Sequence, residues 1–390
     1  MKRRWEALDR LRALAVVLMI QGHTFNVVLS EATRAEPWWR WHRLVHGLTA
    51  PMFLMGAGLA FALTTYPHYE KHRRPSEAFW SRMRRYGLLL LLGYGLQVPG
   101  FSLFAAWDLE GEAWSALFRI GPLHLIGLTL GLVQISAFVL PTARLHALFW
   151  GAMGTLVAVV SPLVWNAHLA DGLPLPLGTW LDRSHDSLFP LFPWGSFPLL
   201  AVFLGYLAQA KASVPARGQK WAWLVGGLGA LAASYYAYRV HWNPYGEHDF
   251  WNNDPLYVVF RAGAVAVLLA FLWYPVRRQD NALDRGLAIL AQHSLLAYVG
   301  HLLLLYGTRW TPSAMQVLDR QRTLGESIAI FLAVFATTAG MIAARRWWLR
   351  SRDEVLRDAR EGAFALAVAR GRSFVLESVS TSRAEGEPTE

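Results

Sequence analysis

Apolar residues in this chain come in long blocks, with polar residues gathered between them. Ten apolar stretches can be read off, at approximately 11–30, 44–66, 86–105, 121–140, 145–165, 188–208, 221–240, 255–276, 286–307 and 324–344. A helix of about 20 apolar residues, rising about 1.5 Å per residue, crosses the hydrocarbon core of a bilayer. Inside that core backbone N–H and C=O groups have no water to bond, and a helix pairs them within the segment. The pattern therefore predicts an all-α polytopic membrane protein with about ten transmembrane helices. The first stretch carries Gln21, His23 and Asn26 and lacks a small-residue cleavage site, so it reads as a retained span rather than a signal peptide.

Charge orients these spans. With the N-terminus in the cytoplasm, most Lys and Arg fall in inner segments, including Arg10 and Arg12, the run from Lys71 to Arg85, and Arg345 to Arg352. Acidic residues such as Glu110, Asp171, Asp182 and Asp254 fall in outer loops. The asymmetry predicts that both termini are cytoplasmic. It divides the chain into a transmembrane domain, 1–350, and a cytoplasmic tail, 351–390, with a helix on the inner membrane surface and a disordered end.

Composition changes the picture little. Hydrophobic residues make up 54% and charged residues 16%, against roughly 25% charged in soluble domains. A disordered chain and an ordinary cytosolic enzyme are excluded. The net charge of +10 is accounted for by topology, so nucleic acid has no place among the expected partners. Without cysteine there is no disulfide, thiolate metal site or thiol nucleophile. The outer-loop tryptophans, Trp38, Trp39, Trp41, Trp242 and Trp251, read as an interfacial belt or as a sugar-stacking surface. The expected setting is a bacterial cytoplasmic (inner) membrane, with the lipid bilayer as partner and room for a homodimer.

Ionisable residues at membrane depth are costly and mark functional sites by default. Counting from each helix midpoint, His23, Arg261 and His301 fall just outside the midplane. Arg119 lies at the mouth of the fourth span with His124 one turn deeper, His46 at the outer entrance of the second with His42 one turn earlier, and Gln97 in the outer half of the third. Six helices thus contribute to one polar layer in the outer half, with His293 the inner-half exception. A polar cavity open to the outer side explains such a layer, whereas isolated packing histidines do not. Imidazole is suited to moving a proton near neutral pH. His42 and His46 have metal-ligand spacing, but no HExxH signature accompanies them, and no metal is expected.

The first span reads Leu8-Asp9-Arg10-Leu11-Arg12, then Met19-Ile20-Gln21-Gly22-His23. An Asp, an Arg three residues on and a His fourteen residues after the Asp resemble the start of the integral-membrane acyltransferase superfamily. That superfamily includes acyltransferase-3 proteins and heparan-alpha-glucosaminide N-acetyltransferase-like proteins. Three later segments are more similar to the second branch: Gly47 to Gly58, Phe189 to Trp194 and His293 to His301. The resemblance runs from about residue 4 to 310. Ala13 departs from it, standing where the family usually has Gly.

The resemblance implies transfer of an acyl group, acetyl above all, from cytoplasmic acyl-CoA to a hydroxyl or amine of a carbohydrate or other acceptor on the outer side. In the acyltransferase-3 branch the catalytic His matches His23. In the other branch the important His lies near His42 or His46. Arg12, Arg82, Arg84 and Arg85, at the inner ends of the first and third spans, are expected to meet CoA phosphates or to act as topology anchors. His23 would deprotonate the acceptor, or His46 would carry the acyl group. Arg261 or His124 would stabilise the oxyanion, with His301 in the same catalytic layer. Asp9 is expected to pair with Arg12 or to cap the first helix. The alternative reading is a proton-coupled transporter or flippase, although neither internal repeats nor paired broken helices are evident.

Overall fold

The computed structural model describes residues 5–99, 109–111, 113–210, 216–246, 249–273, 282–308, 311–318 and 320–384. Arg277, Arg278, Lys211, Asp108 and the extreme N-terminus lie outside these residues, as does the very end of the tail. The described chain is helical, with no strand. Twelve helices carry the argument: α1 (Glu6–Val28), α2 (Trp38–His46), α3 (Thr49–Thr65), α4 (Glu77–Gln97), α5 (Pro122–Ser136), α6 (Ala143–Asn166), α7 (Ser196–Ala210), α8 (Ala216–Arg239), α9 (Pro255–Phe271), α10 (Ala282–Gln292), α11 (Ser294–Tyr306) and α12 (Leu324–Ala384).

Every apolar stretch of the sequence has a helix beneath it, but several boundaries differ. The second stretch is preceded by a separate helix, α2, and α3 begins only at Thr49. The stretch at 286–307 is two helices, α10 and α11, meeting at His293 with a 75° bend. The last stretch continues without interruption to Ala384. Among the described residues, five helical segments are long and apolar enough to cross a membrane, or six if the bent pair counts as one. α5 and α9 are apolar but shorter.

Two compact units are present, 1–335 and 336–390; the described part of the second is helical. In the first unit α3 and α7 form the centre. One cluster joins Leu11 and Ala15 of α1 to Met52 and Leu59 of α3, Phe197 of α7 and Val265 of α9. The other joins Phe61 of α3 to Leu89 of α4, Leu130 of α5, Trp150 of α6 and Val202 of α7. Lipid gives no hydrophobic drive for helices to associate, so close packing must hold them. Gly58 supplies it: a Cβ there would lie 2.3 Å from the Pro198 carbonyl oxygen. Leu91 and Leu163 stay exposed on outward faces, as expected of side chains that meet lipid tails.

α1 packs against α3, α10 and α11. Its inner end is fastened by Arg10, which is buried, donates from Nε to Asp284 at 2.9 Å and from Nη1 to the Leu272 carbonyl at 3.0 Å. A buried cation that loses its partner destabilises strongly, so this clamp fixes α1 against α10. The N-cap position of α1 is Trp5, so Asp9 does not cap the helix.

Candidate active site

α1 and α11 bring His23 and His301 into contact near their C-terminal ends. The His23 Nδ1 and His301 Nε2 lie 2.8 Å apart, with the rings 13° from parallel. The Nδ1 of His301, a fully buried residue, lies 2.7 Å from the Ala297 carbonyl one turn back. A carbonyl only accepts, so this nitrogen carries the proton. In a neutral ring the other nitrogen then accepts, and His23 must donate to it from Nδ1. The consequence is a lone pair on His23 Nε2. The pair thus sets the tautomer of His23 and leaves it one basic nitrogen, the state a general base needs.

His46 stands edge-on to His23, with ring centroids 6.1 Å apart. It sits directly over the backbone of Gly22, where a Cβ would fall 2.0 Å from its ring. Its Nδ1 is buried and bonds nothing among the described residues. His42, one turn earlier on α2, stacks parallel to His46 at 5.9 Å and on Trp39 at 4.4 Å, and its Nε2 meets the Gln21 amide. Trp39 is therefore buried in this stack, while Trp41 is 70% exposed as an interfacial residue should be. No group of three or more His, Cys, Asp or Glu among the described residues is arranged to hold a metal.

Arg261 of α9 joins the same group. Its Nη2 would be 3.3 Å from a Cβ on Gly47, the residue after His46, and its guanidinium lies over Tyr257 at 3.9 Å and Trp194 at 4.9 Å. The structure thus brings together His23, His46, Arg261 and His301, from α1, α2, α9 and α11. His124 has other neighbours. Its Nδ1 accepts the Gly121 N–H at 3.0 Å, satisfying an orphan donor at the start of α5, and its ring meets Tyr94 at 4.2 Å and sits where a side chain on Gly93 would be. It holds α5 to α4 and takes no part in the His23–His301 contact. Arg119 pairs with Asp186 at 3.8 Å.

The basic residues at the inner end also divide. Arg12 donates from Nη2 to Ser294 Oγ at 3.1 Å and runs along the face of Gly56, at the bend between α10 and α11. Eleven residues of helix separate it from His23, a rise of about 16 Å at 1.5 Å per residue. Arg82 is held by Thr65, by Thr64 Oγ1 at 2.9 Å and by the Phe61 face at 5.3 Å. Arg84 and Arg85 are exposed.

Sequence reasoning missed two residues. Gly22 is where the His46 ring rests, and its only mark was its place beside His23. His146, fully buried, bonds Tyr66 at 3.0 Å, the Val133 carbonyl at 2.8 Å and Ser136 at 3.1 Å. Both its nitrogens are satisfied, so it is a packing residue.

With this geometry in view, the chain belongs to the acyltransferase-3 family. Residues 5–346 match that family, whose description is an acyltransferase domain. The class is that of helical membrane acyltransferases. No curated protein matches the chain.

Proposed function

We propose that the protein moves an acetyl or other short acyl group from cytoplasmic acyl-CoA to a hydroxyl or amine of a glycan on the outer side of a bacterial inner membrane. In this reading it has ten spans, the pair α10–α11 counting as one, and both termini are cytoplasmic. The observation that carries it is the His23–His301 pair, which leaves His23 Nε2 unprotonated.

His23 Nε2 takes the proton of the acceptor hydroxyl or amine, and the freed lone pair attacks the thioester carbonyl. Arg261, beside His46, meets the negative charge that forms on the carbonyl oxygen. Collapse breaks the C–S bond, and the CoA thiolate recovers the proton from His23. His301 meets the reacting groups through His23 and is a positioning residue. Arg84 and Arg85 are exposed and have donors to offer the CoA phosphates, and Arg12 stands about 16 Å inward of His23 on the same helix. The side chain of Arg82 is already engaged and braces α4 against α3.

A second reading has support from one observation. The unpartnered Nδ1 of His46 could take the acyl group first, as the heparan-alpha-glucosaminide N-acetyltransferase-like branch implies. A transport reading draws on the buried His and Arg and on one bent pair among the described residues, α10–α11; inverted-repeat transporters break their helices in pairs.

The test is incubation of the purified chain with radiolabelled acetyl-CoA, with and without glucosamine. Label on the sugar that is lost in His23→Ala supports the reading. Absence of transfer and of CoA release with a range of sugars and amines, by protein that binds acyl-CoA, overturns it.

A further inference from the structure

The two sides of α2 differ. At about 3.6 residues per turn, Trp39, His42 and His46 fall on one side, and all three meet the bundle: Trp39 is buried, His42 bonds Gln21, and His46 rests on Gly22. The other side carries Arg40, Trp41, Arg43, Leu44 and Val45, every one of them exposed. Trp41 is 70% and Val45 48% exposed. The side chains of Arg40 and Arg43 make no hydrogen bond or ion pair among the described residues.

A lipid-facing helix end would also expose a tryptophan, so the place of α2 in the bundle decides what covers this side. Gly47 and Leu48 keep right-handed helical angles, φ −60° and ψ −15°, then φ −83° and ψ −12°. α2 therefore leads into α3 without reversing direction. α3 is enclosed by α1, α5, α7 and α9, and no residue from 49 to 63 is exposed. A helix that continues an enclosed one stands over the interior of the bundle rather than at its lipid rim. Its exposed Trp, Leu and Val then face water, and an apolar patch left open to water marks a binding surface.

We propose that the Trp41 side of α2 is the acceptor subsite, where a sugar ring of the glycan stacks on the indole. The proposal rests on the acyltransferase reading and adds the residues that hold the acceptor. Trp41 and Val45, four apart, form a strip along the helix. The strip runs between two polar edges, His42 and His46 on one side and Arg40 and Arg43 on the other. A pyranose has the chemistry for this arrangement. The C–H groups of its face lie on the indole, and the oxygens at its rim accept from guanidinium groups. A ring lying on Trp41 turns one edge toward the histidines, the side on which the acyl group is transferred.

Calorimetry on the full chain in uncharged detergent tests this, with chitotriose and cellotriose as probes and acyl-CoA as the control. Trp41→Ala should weaken binding of at least one trisaccharide about fivefold or more, and Trp41→Phe should keep most of it. Arg40→Gln combined with Arg43→Gln should weaken it as well. Acyl-CoA affinity and melting temperature should hold in all of them, since these side chains are exposed. No binding of either trisaccharide, equal binding by the native protein and Trp41→Ala, or equal losses in Trp41→Ala and Trp41→Phe overturns the proposal. So does displacement of the sugar by added phosphatidylglycerol, which would make this a lipid face. His23-dependent acetylation of glucosamine alongside any of those results would leave the acyltransferase reading standing and remove this one alone.

Discussion

The imidazole of His46 lies on the bare backbone of Gly22, 2.0 Å from where a Cβ would be. The missing side chain lets α2 bring a second histidine to within 6.1 Å of His23, which follows Gly22 in the chain. Gly22→Ala should therefore push the His46 ring away while α1 stays helical, since Ala is the stronger helix former. Overpacking of this kind costs about 1–3 kcal/mol. Acyl transfer should fall while the helical circular dichroism is kept; unchanged transfer would mean the position of His46 is immaterial.

His23→Ala should lower turnover by about 10²–10⁴, the usual contribution of a general base. Affinity for acyl-CoA, measured by calorimetry, should hold. Near-normal turnover would move the base to His46.

His301 acts through His23, and its substitutions should separate orientation from packing. His301→Gln retains an oxygen that accepts from His23 Nδ1, whereas His301→Ala does not. Gln should keep more turnover than Ala at equal thermal stability. If the two lose activity equally, His301 does not set the tautomer.

His146 gives the opposite expectation. His146→Phe leaves the Tyr66 hydroxyl without its partner, while the Val133 carbonyl keeps the Ser136 hydroxyl at 2.9 Å, at a cost of about 1–3 kcal/mol for the buried group left unpaired. The melting temperature should fall while transfer per folded molecule is kept. Loss of transfer without loss of stability would give His146 a part in the chemistry.

At the inner end, Arg12→Gln and the double change Arg84→Gln with Arg85→Gln should each weaken acyl-CoA binding, and added salt should weaken the native protein as well. A reporter fused after Arg350 should read as cytoplasmic. An external reading would reverse the orientation and put these arginines on the wrong side for the donor.

The sequence by itself determined that the chain is helical and membrane-embedded, because lipid forces backbone pairing within each apolar block. It also made His23, His46, Arg261 and His301 candidates, because depth follows from counting along a helix. Only the tertiary structure decided which of these meet. His124 has a depth similar to theirs, but it faces α4 and the start of α5, and the direction a side chain takes around the bundle depends on how helices pack. The break at His293 was hidden because an apolar run looks the same whether straight or bent by 75°. The tautomer of His23 was beyond any one-dimensional reading: it depends on a carbonyl on α11 that sets the proton of His301 across a contact between residues 278 positions apart.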